Sequence, residues 1–219
     1  VATIPSPPHS RAFERLLEIS FEIMKSFVQS RIDAVNLEDE EASDLLDDEA
    51  TLTSILELVA SVGRIKYQSS CEYMQTVFDV VANQYSELCG QSISGQFSSD
   101  FRQRLENVEA KLTWIVYIMG ASVGARSPIQ NSEEHEILDG ELTGKILQLM
   151  NVDSNFVIRM REMGDTSNRS LDLALKIYIG PHMDVRQGRE IYVRLGETFG
   201  IDDQNKMLNF IVQKLFVCF

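Results

Sequence analysis

The chain has 219 residues, of which 44% are hydrophobic and 24% charged. That is an ordinary globular balance, long enough for one sizeable core, and it argues against global disorder. A formal charge of −13 opposes phosphate backbones, which argues against direct nucleic-acid binding.

Five prolines and twelve glycines leave little turn material for a many-stranded sandwich, so long elements are expected. The acidity is uneven. Through Ser154 there are 25 acidic against 11 basic residues; from Asn155 onward there are 8 against 9. Cys71, Cys89 and Cys218 form no C-x-x-C pair, which suits free buried thiols in a reducing compartment. The opening "VATIPSPPHS" shows no secretory signal, and its start on Val1 points to a fragment or an incomplete gene model.

Phe13, Leu16, Leu17, Met24, Phe27, Val28 and Ile32 recur at three- and four-residue steps, which predicts an amphipathic helix. Pro5, Pro7 and Pro8 are expected ahead of its start. The stretch "NLEDEEASDLLDDEA" follows, with eight carboxylates between Glu38 and Glu49 and no base from Arg31 to Arg64. It lacks the D-x-D-x-D alternation and turn glycine of a calcium loop. Like-charge repulsion and only Leu45 and Leu46 as anchors predict a mobile loop over 36–49. Its acids (Glu38, Asp39, Glu40, Glu41, Asp44, Asp47, Asp48 and Glu49) are candidate contacts for a basic partner, set against the plainer reading of a solvated loop.

A second helix is expected around Leu52, Ile55, Leu56 and Val59, ending near Gly63. A third runs from Tyr67 to Leu88, with Gly90 as its stop. "GQSISGQFSS" reads as a connector. Then come Phe101, Leu105, Val108, Leu112, Ile115, Met119 and Val123, in unbroken helical register through "KLTWIVYIMGASVGAR".

That stretch raises two other readings. Gly120, Ser122 and Gly124 spell G-x-S-x-G, the nucleophile elbow of a serine hydrolase, with Asp139 and His182 in the right order downstream. The same glycines spell G-x-x-x-G, but the 14 residues between Lys111 and Arg126 are too few to cross a bilayer, which takes about 20. No new period-two alternation begins at Lys111 and no glycine-rich oxyanion loop precedes it. The residues therefore predict one long buried helix with Ser122 inert, and Trp114, Ile115 and Met119 between neighbours.

Asn131 and Glu134 form a capping pair for a helix carrying Ile137 to Met150. Inside it, "HEILD" resembles a zinc-binding helix but lacks the second histidine, so His135 and Asp139 are expected on a solvated face. Phe156, Val157 and Met160 mark a short piece, and "LDLALKIYIGP" another, closed by Gly180 and Pro181. Val185, Ile191, Tyr192, Leu195 and Phe199 mark a helix stopped by Gly200, and Asp202 opens the last. Tyr178, Tyr192 and Trp114 fall at core steps, so no cofactor box is seen. The fold class is all-α, in a single segment over 1–219, with no enzyme, metal or cofactor site favoured.

Four stretches in register, "FEIMKSFVQSRIDAV", "KLTWIVYIMGASVGARS", "DGELTGKILQLMN" and "KIYIG", resemble the exportin-7 family of Ran-binding nuclear transport receptors. The resemblance spans Phe21 to Lys214 and corresponds to a middle portion of that larger protein. It implies a HEAT/ARM-like superhelix without catalytic activity. It also implies binding of protein cargo together with Ran GTPase in its GTP form, and passage between nucleus and cytoplasm past nucleoporins. The family's main Ran contacts are expected outside this chain, so no Ran-contacting residue is assigned. Here "LDLAL" meets "KIYIG" directly, with about two helical turns fewer than in the family, and the acidic run is denser. A helical scaffold unrelated to transport is the remaining alternative.

Overall fold

A computed structural model of the chain describes residues 8–35, 49–91, 98–125, 132–162 and 189–217. Among these every regular element is helical, and none is a strand. The helices are α1 (Pro8–Ala34), α2 (Glu49–Gly63), α3 (Tyr67–Gln91), α4 (Ser99–Gly124), α5 (Glu133–Glu162), α6 (Arg189–Phe199) and α7 (Gln204–Val217). A single 3-10 turn, Arg64–Lys66, joins α2 to α3.

Several boundaries differ from the expectation for identifiable reasons. α1 takes in Pro8 as its first residue, where the missing N–H costs nothing because the first turn has no intrahelical acceptor for it. Glu49, expected at the end of the acidic loop, is the first residue of α2, and acids are favourable in a first turn. Gly90 does not stop α3, which continues to Gln91. At the start of α5, Asn131 lies outside the described residues, and the Ser132 Oγ accepts the His135 N–H at 3.3 Å. Asp203 caps α7 in place of Asp202, its Oδ1 accepting the Lys206 N–H at 2.9 Å. Phe156, Val157 and Met160 are not a separate piece but the end of a continuous α5. The stop after α6 is as expected, with Gly200 in the left-handed region at φ 68°. The prolines at 5 and 7, the run from Glu38 to Asp48, "LDLALKIYIGP", His182, Val185 and Cys218 lie outside the described residues.

The helices stack in two layers. α1, α3, α5 and α6 lie side by side and run in the same direction. Phe21 and Gln29 of α1 meet Lys66 and Tyr73 at and beyond the start of α3. Tyr67, Asp79 and Tyr85 of α3 meet Asp139, Lys145 and Asp153 of α5 in ascending order. Glu136 and Gly140 of α5 meet Glu190, Ile191 and Arg194 of α6. The approach at Gly140 is tight, since a Cβ would sit 3.3 Å from the Ile191 Cα.

α2 and α4 pack together as the second layer. α4 runs against α3, with Ser122 beside Met74 and Val108 beside Leu88. Helical pairs that advance with all first helices parallel make the HEAT/ARM-like superhelix, an α-solenoid. One continuous core runs through it, from Met24 and Val28 past Met74, Leu112 and Ile115 to Ile146, Phe156, Leu195 and Ile211. Fully burying each such side chain stabilises by about 1.5–3 kcal/mol.

Candidate functional site

The apolar register that makes α4 helical puts Trp114, Ile115, Met119 and Ser122 inside, all under 7% exposed. Ser122 is therefore nowhere near an elbow. It lies within the last turn of a 26-residue helix, and its hydroxyl donates back to the Ile118 carbonyl at 2.8 Å. Among the described residues the hydroxyl also lies 3.8 Å from the Met74 sulfur. A nucleophile needs exposure, a base and an oxyanion cradle. Ser122 is enclosed by neighbouring helices and spends its proton on a backbone oxygen, so the hydrolase alternative is overturned.

What the small-residue end of α4 does instead is present its carbonyls. Helix C-termini leave carbonyls without intrahelical donors, and these attract cations. Arg64, on the 3-10 turn, fills that role: Nε donates to the Ser122 carbonyl at 2.9 Å and Nη2 to Val123 at 3.4 Å. Nη2 also reaches both oxygens of Asp139 on α5, at 2.8 and 3.0 Å. The Tyr67 hydroxyl donates to Asp139 Oδ1, and the guanidinium lies 4.3 Å over the Tyr67 ring. His135 packs edge-on against that ring at 5.1 Å.

Asp139, expected on a solvated face, is thus 2% exposed, and Arg64 is 4% exposed. Such burial is tolerable only because each charge is paired and hydrogen-bonded. Burial, and next the Asp139 carboxylate, push the Tyr67 phenol well above its usual 10.0. Burial likewise pushes the neighbouring Cys71 thiol from 9.0 up to about 12, so no reactive thiolate forms there at neutral pH. The cluster ties α2, α3, α4 and α5 together. It is a structural joint, and Arg64 carried no motif that would have singled it out.

Among the described residues no group of three or more His, Cys, Asp or Glu is placed to hold a metal. None of the described helices is long and apolar enough to cross a membrane. Of the acidic candidates only Glu49 falls in a described element; the other seven lie outside the described residues. What the surface does offer is helix faces: an apolar stripe on α1 (Leu16, Ile19, Ile23) and another on α7 (Leu208, Val212), all exposed.

Comparison with known proteins identifies the family of this helical stack. A family model described as "Exportin-7-like, TPR domain" matches residues 33–218. The chain belongs to the exportin-7 family. It is 32% identical to Exportin-7-B of Xenopus laevis over 221 residues, covering 96% of this chain and 19% of that protein. With Exportin-7 of Dictyostelium discoideum it shares 34% identity, over 88% of this chain and 19% of that one. With Ran-binding protein 17 of Homo sapiens it shares 30%, over 89% and 17%. The chain therefore spans about a fifth of the length of these exportin-7 relatives. No solved structure matches it. The family supports the helical-repeat fold reached above; three of the four sequence stretches that resembled it lie within the family match, and the first, Phe21 to Val35, begins before it.

Proposed function

We propose that the chain is a segment of an exportin-7-type nuclear transport receptor, which binds protein cargo together with Ran in its GTP form and carries it through the nuclear pore. The observation that carries this reading is the continuous match, over 96% of the chain, to a protein named as an exportin. Relatives named as Ran-binding proteins support the choice of Ran as partner. In this reading the parent receptor shuttles between nucleus and cytoplasm and meets nucleoporins on the way. This segment works by surface contact, without chemistry of its own.

Its specific contribution is the acidic run. Glu38, Asp39, Glu40, Glu41, Asp44, Asp47, Asp48 and Glu49 raise the local concentration of basic cargo, since a patch of one sign steers oppositely charged partners. The test of the receptor reading is a pull-down from nuclear extract with the full-length parent, with and without GTP-loaded Ran. Proteins retained only with GTP-loaded Ran are expected, and an identical set in both arms would overturn it. For the acidic run, changing Glu38, Asp39, Glu40 and Glu41 to glutamine should slow association with basic cargo at low salt. The difference should vanish near 1 M salt, where the Debye length falls to about 3 Å. Equal rates at low salt would leave the run as a solvated linker.

A further inference from the structure

Along the end of α3 and the first half of α4 lies an open groove of about 440 Å³. Its floor is apolar and buried: Leu88 at 3% and Val108 at 8% exposure. Arg104 and Lys111 stand on its α4 wall, two helical turns apart, about 10 Å along the axis. Gln84 of α3 and Asn107 of α4 add amides, which both donate and accept. Glu87 is the one acid in the lining.

In a chain with 33 acids to 20 bases, some basic side chains on the described surface have found an acid: Arg15 with Glu18, Lys145 with Asp79, Lys206 with Asp202. Arg104 and Lys111 have none within ion-pair distance among the described residues, although Glu87 lines the same groove. Two unneutralised cations above an apolar floor, flanked by amides, complement an extended chain that carries carboxylates at matching spacing.

We infer that this groove docks an extended acidic segment of a partner protein. A polyproline-type chain repeats every three residues and rises about 3.1 Å per residue, so carboxylates at i and i+3 share one face about 9 Å apart. They meet Arg104 and Lys111 while an apolar residue between them settles on Leu88 and Val108. The amide of Gln84 takes up one of the segment's backbone groups. The docking does not depend on Ran or on the transport reading.

The test is fluorescence anisotropy with a labelled peptide of neutral flanks around D-L-L-D, titrated with the full chain, against the same peptide carrying N-L-L-N. D-L-L-D should bind at least tenfold tighter at low salt. Arg104→Glu and Lys111→Glu should each weaken it about tenfold, and Arg15→Glu, on α1, should not. Matching thermal melts keep the comparison valid, and an Arg104→Gln/Lys111→Gln pair serves if a reversal unfolds the chain. Equal binding of the two peptides, or unchanged binding by the groove variants, overturns the proposal. So does a tenfold gain in affinity when Glu38 to Glu49 are neutralised, because the occupant would then be this chain's own acidic run. A failed Ran pull-down would leave these results unmoved.

Discussion

The α3–α5 seam uses the same pair of residue types twice, one near each end, and the two ends are not equivalent. At the first end Tyr67 donates to Asp139; at the second Tyr85 donates to Asp153 at 2.7 Å. Both carboxylates are 2% exposed. The first end adds Arg64, which carries the contact onward to the carbonyls of α4. The second adds an aromatic pair, Tyr85 edge-on to Phe156 at 6.0 Å. Among the described residues a phenol meets a carboxylate at each end of this pair of parallel helices. Adding a guanidinium turns the same contact into a joint between one helical pair and the next.

The comparison is broken most directly at the cation. Arg64→Ala should cost about 3–5 kcal/mol, since it leaves the Asp139 charge buried without its partner. Urea unfolding measures this. Arg64→Met combined with Asp139→Leu should recover most of the loss, and no recovery would mean that the α4 carbonyls depend on the guanidinium more than Asp139 does. At the second end Tyr85→Phe removes one hydrogen bond and keeps the ring, for about 1–3 kcal/mol. A loss as large as that of Arg64→Ala would erase the distinction between the ends.

Alkaline pH separates them further. Cys71 lies one turn beyond Tyr67, and its thiol stays protonated in the folded state up to about pH 12 but loses its proton near 9.0 when unfolded. Its contribution is complete below pH 9 and declines by about 1.4 kcal/mol per pH unit from there until the folded value is reached. The raised Tyr67 adds a similar decline that begins at its ordinary 10.0. Cys71→Ala should therefore flatten the fall in stability between pH 9 and 10 relative to wild type, and parallel curves would refute the assignment. The smallest effect belongs to Ser122→Ala. The joint uses this residue's carbonyl, not its hydroxyl, so the change should stay below about 1 kcal/mol. Wild type should show no labelling by a fluorophosphonate probe that this variant abolishes.

The elements that were legible in the sequence are those whose apolar residues keep a helical step without interruption. α4 is the clearest case, since Phe101 through Val123 fixed both its extent and its buried face. α5 was cut short at Met150 because "NVDSN" reads as polar. Two of those polar residues are buried: Asp153 accepts from Tyr85, and Ser154 donates to the Met150 carbonyl at 2.6 Å. Asp139 was misread for the same reason, its partner Arg64 standing 75 positions away. A buried polar residue looks exposed until its partner is known, and periodicity cannot supply partners. Nor does it supply layer order. The first helices of successive pairs share a direction and a core but no repeated letters, so the superhelix came from family resemblance and from tertiary contacts.

The 3-10 turn between α2 and α3 is only three residues long, and it is clamped by Arg64. A link that short and that well bonded transmits twist instead of absorbing it. When a superhelix of this kind flexes to wrap a partner, compliance is shared among its junctions in inverse proportion to their stiffness. The α2–α3 corner should then turn as a rigid elbow, and curvature should change on either side of it.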